Sequence, residues 1–248
     1  VIFDLDGTVA ETRTDIAINF DAGFKHIGVQ VPMQRLLDLV DGSPLHATYW
    51  AVRPKGSEAE LKKFLDGFLS SQASRGPAGT PYKHIPELLT ALRKQPGVKL
   101  AIATARPADN AKQLLRHMGL DHHFDIISGT SGTKMAHKPA PDLLLYVARR
   151  LGVSPKRSVM IGDTHTDIMA AQRAGMATIA MTYGMGKGPK VRSQNPDLVT
   201  GDARKLFHAL GLDRRTGRAL RTAEQIAPHL LRSRAVYPNE ASTRIPAR

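Results

Sequence analysis

The sequence predicts an α/β fold: a parallel sheet core flanked by helices, with a small helical segment inserted after the first strand. Short apolar runs rich in Val, Ile and Ala alternate with stretches of helical period, the pattern of parallel strands joined by crossover helices. The first, second and fourth runs lead directly into polar clusters, and open α/β sheets bind ligands beyond the carboxyl ends of their strands. An interval of about 95 residues separates the first run from the second, far more than one crossover needs.

Strands are expected at residues 1–3, 99–103, 124–128, 158–161 and 177–181. In the long interval, Ile16, Phe20, Phe24 and Ile27 fall at helical spacing, Leu36, Leu37 and Val40 suggest a second helix, and Leu61, Phe64, Leu65, Phe68 and Leu69 mark a third. Residues 70–81, rich in Ser, Gly and Pro, read as the return linker. The expected division is a helical cap at 11–80 inserted into a discontinuous core made of 1–10 and 81–210. Further helices are expected at 85–94, 107–118, 140–151 and 167–174. Residues 211–248 read as a basic tail, loosely packed or disordered, with a short helix near 222–231.

At 248 residues the chain is long enough for such a core and cap. Its hydrophobic fraction of 42% is ordinary, while 5% aromatic residues leave few platforms for stacking nucleobases. The absence of cysteine excludes disulfides, a thiolate nucleophile and zinc–thiolate sites, and fits a cytoplasmic setting. No apolar run approaches the roughly 18–20 residues of a membrane span, and no signal peptide is visible. The first residues, Val-Ile-Phe, already lie in an apolar strand, so residues before Val1 are expected. Of the net charge of +13, a disproportionate share comes from residues 211–248, which carry eight arginines against three acids. A basic surface attracts phosphorylated substrates and binds polyanions weakly; a solvated surface is the better reading than a specific nucleic-acid site.

Phe3-Asp4-Leu5-Asp6-Gly7-Thr8 carries the strongest local signal, two aspartates at the end of an apolar strand. Gly7 lets Asp6 leave strand geometry, so that both carboxylates approach one centre. Two such charges about 4 Å apart repel by roughly 4 kcal/mol at an effective dielectric of 20, which calls for a cation or a shared proton. A calcium loop of the EF-hand type fails here, because Val9 and Asp15 stand where it needs Gly and Glu. A plain Asx turn stays open as the structural alternative. The second signal is Gly162-Asp163-Thr164-His165-Thr166-Asp167 after another apolar strand. Asp163 suits a hard cation; Asp167, taken alone, is more often just a helix cap. Thr104 ends the strand at 99–103, where its hydroxyl and the amides of a helix start suit phosphate oxygens. A threonine at a strand end is more often structural, and a lysine before Pro139 is usually solvated, yet Lys138 there could neutralise both Asp4 and a phosphate.

The order Asp-x-Asp-Gly-Thr, strand-Thr, Lys-Pro-x-Pro, Gly-Asp-x-x-x-Asp resembles the haloacid dehalogenase superfamily of hydrolases. The Lys138-Pro139-Ala140-Pro141-Asp142 and Thr182-Tyr183-Gly184-Met185-Gly186 segments look most like phosphoglycolate phosphatases. The resemblance implies a Rossmann-like core, a helical cap that closes over substrate, and a phosphatase using Asp4 as nucleophile and Asp6 as general acid and base. It implies Mg²⁺ held by Asp4, Asp6 and Asp163 with Asp167 in or near the shell, and a phosphate held by Thr104, Ala105 and Lys138. Ala105 departs from subfamilies that carry Asn there, so no side-chain contact is expected from it.

The implied partner is a small phosphorylated metabolite, 2-phosphoglycolate first. Pyrophosphatase, nucleotidase, phosphonatase and sugar phosphomutase chemistry stay open on the same fold. A phosphonatase would need a cap lysine, for which Lys25, Lys55, Lys62 and Lys63 are the candidates. Arg35, Asp41, Ser43, His46 and Arg53 are polar cap positions, and His165 reads as a loop residue. A reading from another class is a basic binding protein on an inactive fold; the intact Asp4, Asp6, Lys138 and Asp163 weigh against it.

Overall fold

Burial on both faces makes the central strands nearly all apolar, which is why so few residues suffice to form each one. The computed structural model describes residues 1–130, 134–222 and 224–228. Strand β1 (Ile2–Phe3) is followed by β2 (Ala10–Glu11) and four helices, α1 (Arg13–His26), α2 (Met33–Leu39), α3 (Leu45–Val52) and α4 (Glu58–Arg75). The chain returns through β3 (Thr80–Pro81) to α5 (Ile85–Arg93), β4 (Ala101–Thr104), α6 (Ala108–His117), β5 (Ile126–Gly129) and α7 (Asp142–Arg150). Then come β6 (Val159–Gly162), α8 (His165–Arg173), β7 (Ala177–Met181), α9 (Gly188–Arg192), β8 (Leu198–Thr200) and α10 (Arg204–Ala209).

Six strands pair in parallel in the order β5-β4-β1-β6-β7-β8, so this is the α/β parallel-sheet fold expected, with β1 central. Ile2 registers with Ala101 on one side and Met160 on the other. Alternation then sorts the side chains. Ile2, Ala101, Ala103 and Met160 pack under α7 and α8, while Phe3, Ile102 and Ile161 pack under α5, α6 and α10.

Helices α1–α4 build their own apolar cluster from Phe20, Phe24, Leu36, Tyr49, Leu61, Phe64 and Phe68. Its root is a small antiparallel pair, Ala10 with Pro81 and Glu11 with Thr80. Met185, from the loop after β7, joins the same cluster.

Several elements differ from the sequence expectation. Residues 70–75 continue α4, capped at its start by the Ser57 side chain, because the Ser-Ser-Gln-Ala-Ser-Arg stretch contains no Gly or Pro to stop a helix. Helix α3 has no readable period: only Thr48 and Tyr49 are buried along its two turns. The β2–β3 pair is too short to leave an alternation pattern. Strand β8, with α9 and α10, adds a further unit at the sheet edge, where Leu198 and Val199 are only partly buried. Helix α7 starts at Asp142 and α8 at His165, the latter because Thr164 rather than Asp167 is its N-cap. The described part of the tail packs onto the core: Ile226 and Ala227 are buried, Gln95 Nε2 donates to Gly217 O at 3.0 Å, and Arg157 pairs with Glu224. Residues 224–228 are helical; the rest of the tail lies outside the described residues.

Trp50, the chain's single tryptophan, sits 4.8 Å from the Tyr49 ring, which itself packs on Phe64. Phe64→Ala is expected to destabilise the helical cluster by about 3–5 kcal/mol, seen as a lower urea midpoint in Trp50 fluorescence. A change below about 1 kcal/mol would contradict the packing described.

Candidate active site

The carboxyl ends of β1, β4 and β6 lie side by side, so the polar residues that follow each strand meet at one edge of the sheet. Asp4 follows β1, still tied to its neighbour by Asp4 N donating to Ile161 O at 2.8 Å. Asp163 follows β6 and Asp167 stands in the first turn of α8. All three are buried, and one carboxylate oxygen of each lies within 4.8 Å of the others. Lys138 reaches into this group from the loop after β5, donating through Nζ to Asp4 Oδ1 at 2.7 Å, Asp167 Oδ1 at 2.5 Å and Ala103 O at 3.1 Å.

Asp167 also serves the cap of α8, as the third helical residue of the capping box and not as the N-cap itself. Its Oδ2 accepts from Thr164 N and Thr164 Oγ1, completing a capping box. Asp163 is held by other donors: Thr8 Oγ1 gives to its Oδ1 at 2.9 Å, and the amides of Met185 and Gly186 give to its Oδ2. The loop approaches so closely that a Cβ on Gly184 would lie 2.2 Å from Gly7 O and 2.3 Å from Asp163 Oδ2. Gly7, at φ +83°, makes the turn that takes Asp6 out of the strand.

Asp6 is not among the three clustered carboxylates. Its Oδ1 accepts from Thr12 Oγ1 and Arg106 Nη2, both at 2.7 Å, and its Oδ2 accepts from Arg106 Nε at 3.1 Å. Thr104 is buried at the end of β4 and accepts from the Arg106 amide, while Ala105 is exposed, leaving only its backbone amide to serve a ligand. Arg106 and Thr12 were not picked out from the sequence, and Thr8 and the 184–186 loop entered it only inside quoted motifs, with no role assigned. A cation two residues beyond a strand-end threonine was the available signal for Arg106.

Charge explains the arrangement. Burial, then Asp167 and Asp163, push the Asp4 carboxyl well above the ordinary range against the pull of Lys138. Burial and Asp167 push Asp163 up to about 7, against the hydrogen bonds from Thr8, Met185 and Gly186. Burial opposes the Lys138 charge, yet Asp167 and Asp4 hold its pKa above the usual lysine value. Burial would likewise raise Asp6, but the Arg106 guanidinium holds it below the usual carboxylate range. Three buried carboxylates thus face one ammonium. That surplus of negative oxygen fits a hard divalent cation.

The cap lysines named from the sequence, Lys25, Lys55, Lys62 and Lys63, are all exposed, and Lys25 and Lys62 pair with Asp21 and Asp66. Arg35 and His46 are exposed, and Arg53 braces Glu60. Asp41 lies 3.6 Å from Lys187, bringing the α2–α3 turn near the loop after β7. His165 is partly buried, which with Lys190 lowers its pKa.

Residues 1–181 match the model of the haloacid dehalogenase-like hydrolases. Among curated proteins, the chain is 32% identical over 215 residues to a Mycobacterium tuberculosis protein named tyrosine-protein kinase PtkA, covering 86% of this chain and 72% of that one. It is 30% identical over 217 residues to the phosphoglycolate phosphatase of Haemophilus influenzae, covering 84% and 96%. Among solved structures, a predicted phosphoglycolate phosphatase from Haemophilus somnus 129pt superposes with a TM-score of 0.72 at 27% identity, covering 81% of this chain and 92% of that one.

The raised Asp163 pKa has a definite sign. Between about pH 4 and 7 the folded protein holds a proton that the unfolded chain has released, so this group's contribution to stability falls as pH rises through that window. Histidines with lowered pKa act in the opposite sense, and comparison with Asp163→Asn removes them. In chelator, the melting temperature of the wild type relative to Asp163→Asn is expected to fall from pH 5 to pH 8. A difference that stays constant would contradict the burial assigned to this carboxyl.

Proposed function

The chain belongs to the haloacid dehalogenase-like hydrolase family and is a phosphatase, and from that premise we propose that it hydrolyses a small phosphorylated metabolite, 2-phosphoglycolate first, through a phosphoryl group carried on Asp4. The supporting observation is the buried contact of Lys138 with Asp4 and Asp167 beside Asp163. It holds a carboxylate oxygen at a strand tip with its charge partly neutralised, as a nucleophile toward an anionic phosphate must be.

In the first step an Asp4 oxygen attacks phosphorus and the bond to the leaving alcohol breaks, with Asp6 giving its proton to the departing oxygen. Asp6 then takes a proton from water, the water oxygen attacks phosphorus, and the bond to Asp4 breaks to release phosphate. Lys138 neutralises charge on Asp4 and on the transferring group, while the Thr104 hydroxyl and the Ala105 amide hold phosphate oxygens. Mg²⁺, bound by the Asp4 carboxylate, the Asp6 backbone carbonyl and Asp163, with Asp167 in or beside that shell, would supply the positive charge that lets the two anions meet. Helices α1–α4 act as the cap that excludes water and reads the rest of the substrate. A cytoplasmic setting belongs to the same proposal; among the described residues no helix is long and apolar enough to cross a membrane.

Phosphonate cleavage loses support because its four candidate lysines are exposed. The binding-protein reading loses support because a purely structural fold gains nothing from three buried carboxylates at one sheet edge.

The test is phosphate release with Mg²⁺ from phosphoglycolate, sugar phosphates, nucleoside monophosphates, pyrophosphate, phosphonoacetaldehyde and a phosphotyrosine peptide. A parallel assay offers ATP and a tyrosine peptide, since one relative bears a kinase name. One small phosphate ester is expected to dominate, Asp4→Asn to abolish release, and Asp6→Asn to lower kcat by about 10²–10⁴-fold. Equal inertness of wild type and Asp4→Asn across the panel would overturn the proposal.

A further inference from the structure

Among the described residues, Arg106 is the one buried cation near the sheet edge that the reaction above leaves without a task. Its side chain is 9% exposed and that of Asp6 18%, and the two form a fork, Nε on Oδ2 and Nη2 on Oδ1. With Thr12 also donating to Oδ1, Asp6 accepts three hydrogen bonds and presents no donor of its own. The acid of the proposed reaction must instead direct an O–H at the leaving oxygen. Arg106 therefore has to leave Asp6 before that oxygen can be served.

A guanidinium moved off its carboxylate within a closed site is costly unless another anion receives it. The phosphate of the substrate already has Lys138, Thr104 and the Ala105 amide in the reading above. The fork that Arg106 presents is matched to a planar carboxylate, whose two oxygens accept its parallel N–H groups. We propose that Arg106 is a specificity-determining residue: it exchanges Asp6 for a carboxylate on the leaving-group side of the substrate, so that a carboxylated phosphate ester both binds and releases the acid. This rests on the phosphatase reading and goes beyond it by naming the second group recognised. A neutral alcohol in the same place gives Arg106 no partner, and the clamp on Asp6 stays closed.

The experiment compares wild type, Arg106→Ala, Arg106→Gln and Arg106→Lys, each checked for folding by circular dichroism, on two matched pairs with Mg²⁺. The pairs are 2-phosphoglycolate with 2-hydroxyethyl phosphate, and 3-phosphoglycerate with glycerol 1-phosphate. Wild type is expected to favour the carboxylated member of at least one pair by about 10- to 100-fold in kcat/KM. Arg106→Ala and Arg106→Gln are expected to bring that ratio toward one, with KM rising on the carboxylate and kcat rising on the neutral partner. Arg106→Lys, which keeps the charge without the fork, should recover KM only in part. Equal losses on both members would mean that Arg106 merely braces Asp6, and an unchanged ratio would also overturn the proposal. Wild-type activity that depends on Asp4 but ignores the carboxylate sinks the Arg106 assignment alone; inertness of wild type on every ester sinks the phosphatase reading with it.

Discussion

The rest of the site depends on one buried ammonium. Lys138 lies between Asp4 and Asp167, two of the three carboxylates that the fold has drawn together, and among the described residues it is the one cation paired with them. At about 4 Å, each unscreened carboxylate pair costs roughly 4 kcal/mol even at an effective dielectric of 20. Such a cluster persists because the sheet enforces it. Asp4 and Asp163 extend from β1 and β6, which are adjacent and in register, and Asp167 is locked by its own helix cap. A surplus of negative charge held in this way would favour a hard divalent cation.

Asp163 also ties the sheet edge to the helical cluster. The loop after β7 gives the Met185 amide to Asp163 while the Met185 side chain packs among Phe20, Phe24 and Phe64. Arg13, at the start of α1, donates to Gly184 O in that loop, and Tyr183 Oη donates to Thr8 O beside the first motif. A handful of residues thus serves two packing problems at once. Close backbone approach at Gly184 leaves no room for a larger residue to serve both.

What could be read from the sequence was set by how far each signal extended along the chain. The apolar runs leading into Asp4, Thr104 and Asp163 located three adjacent strands and the edge where their polar ends gather, because periodicity and an abrupt change to polar residues are both local. The pairing of Lys138 with Asp4 and Asp167 was also within reach, since charge alone required a cation near the acids. Strand β8 and helix α3 escaped because each is only a few residues long and partly exposed or only partly apolar along its length. Arg106 escaped for a different reason: its partner Asp6 is 100 residues away in sequence, and no local pattern reports a contact made across the whole helical insertion between β1 and β4. The loop amides on Asp163 left no side-chain signature at all.

The central claim is that the phosphoryl group passes through Asp4. Rapid acid quench of the enzyme during turnover of its best substrate, followed by peptide mass spectrometry, tests it directly. A phosphoryl mass increment on the peptide containing Asp4, labile to hydroxylamine and absent from Asp4→Asn, is the result this account predicts. Turnover that proceeds with no label on Asp4, or with the label on another residue, would contradict it.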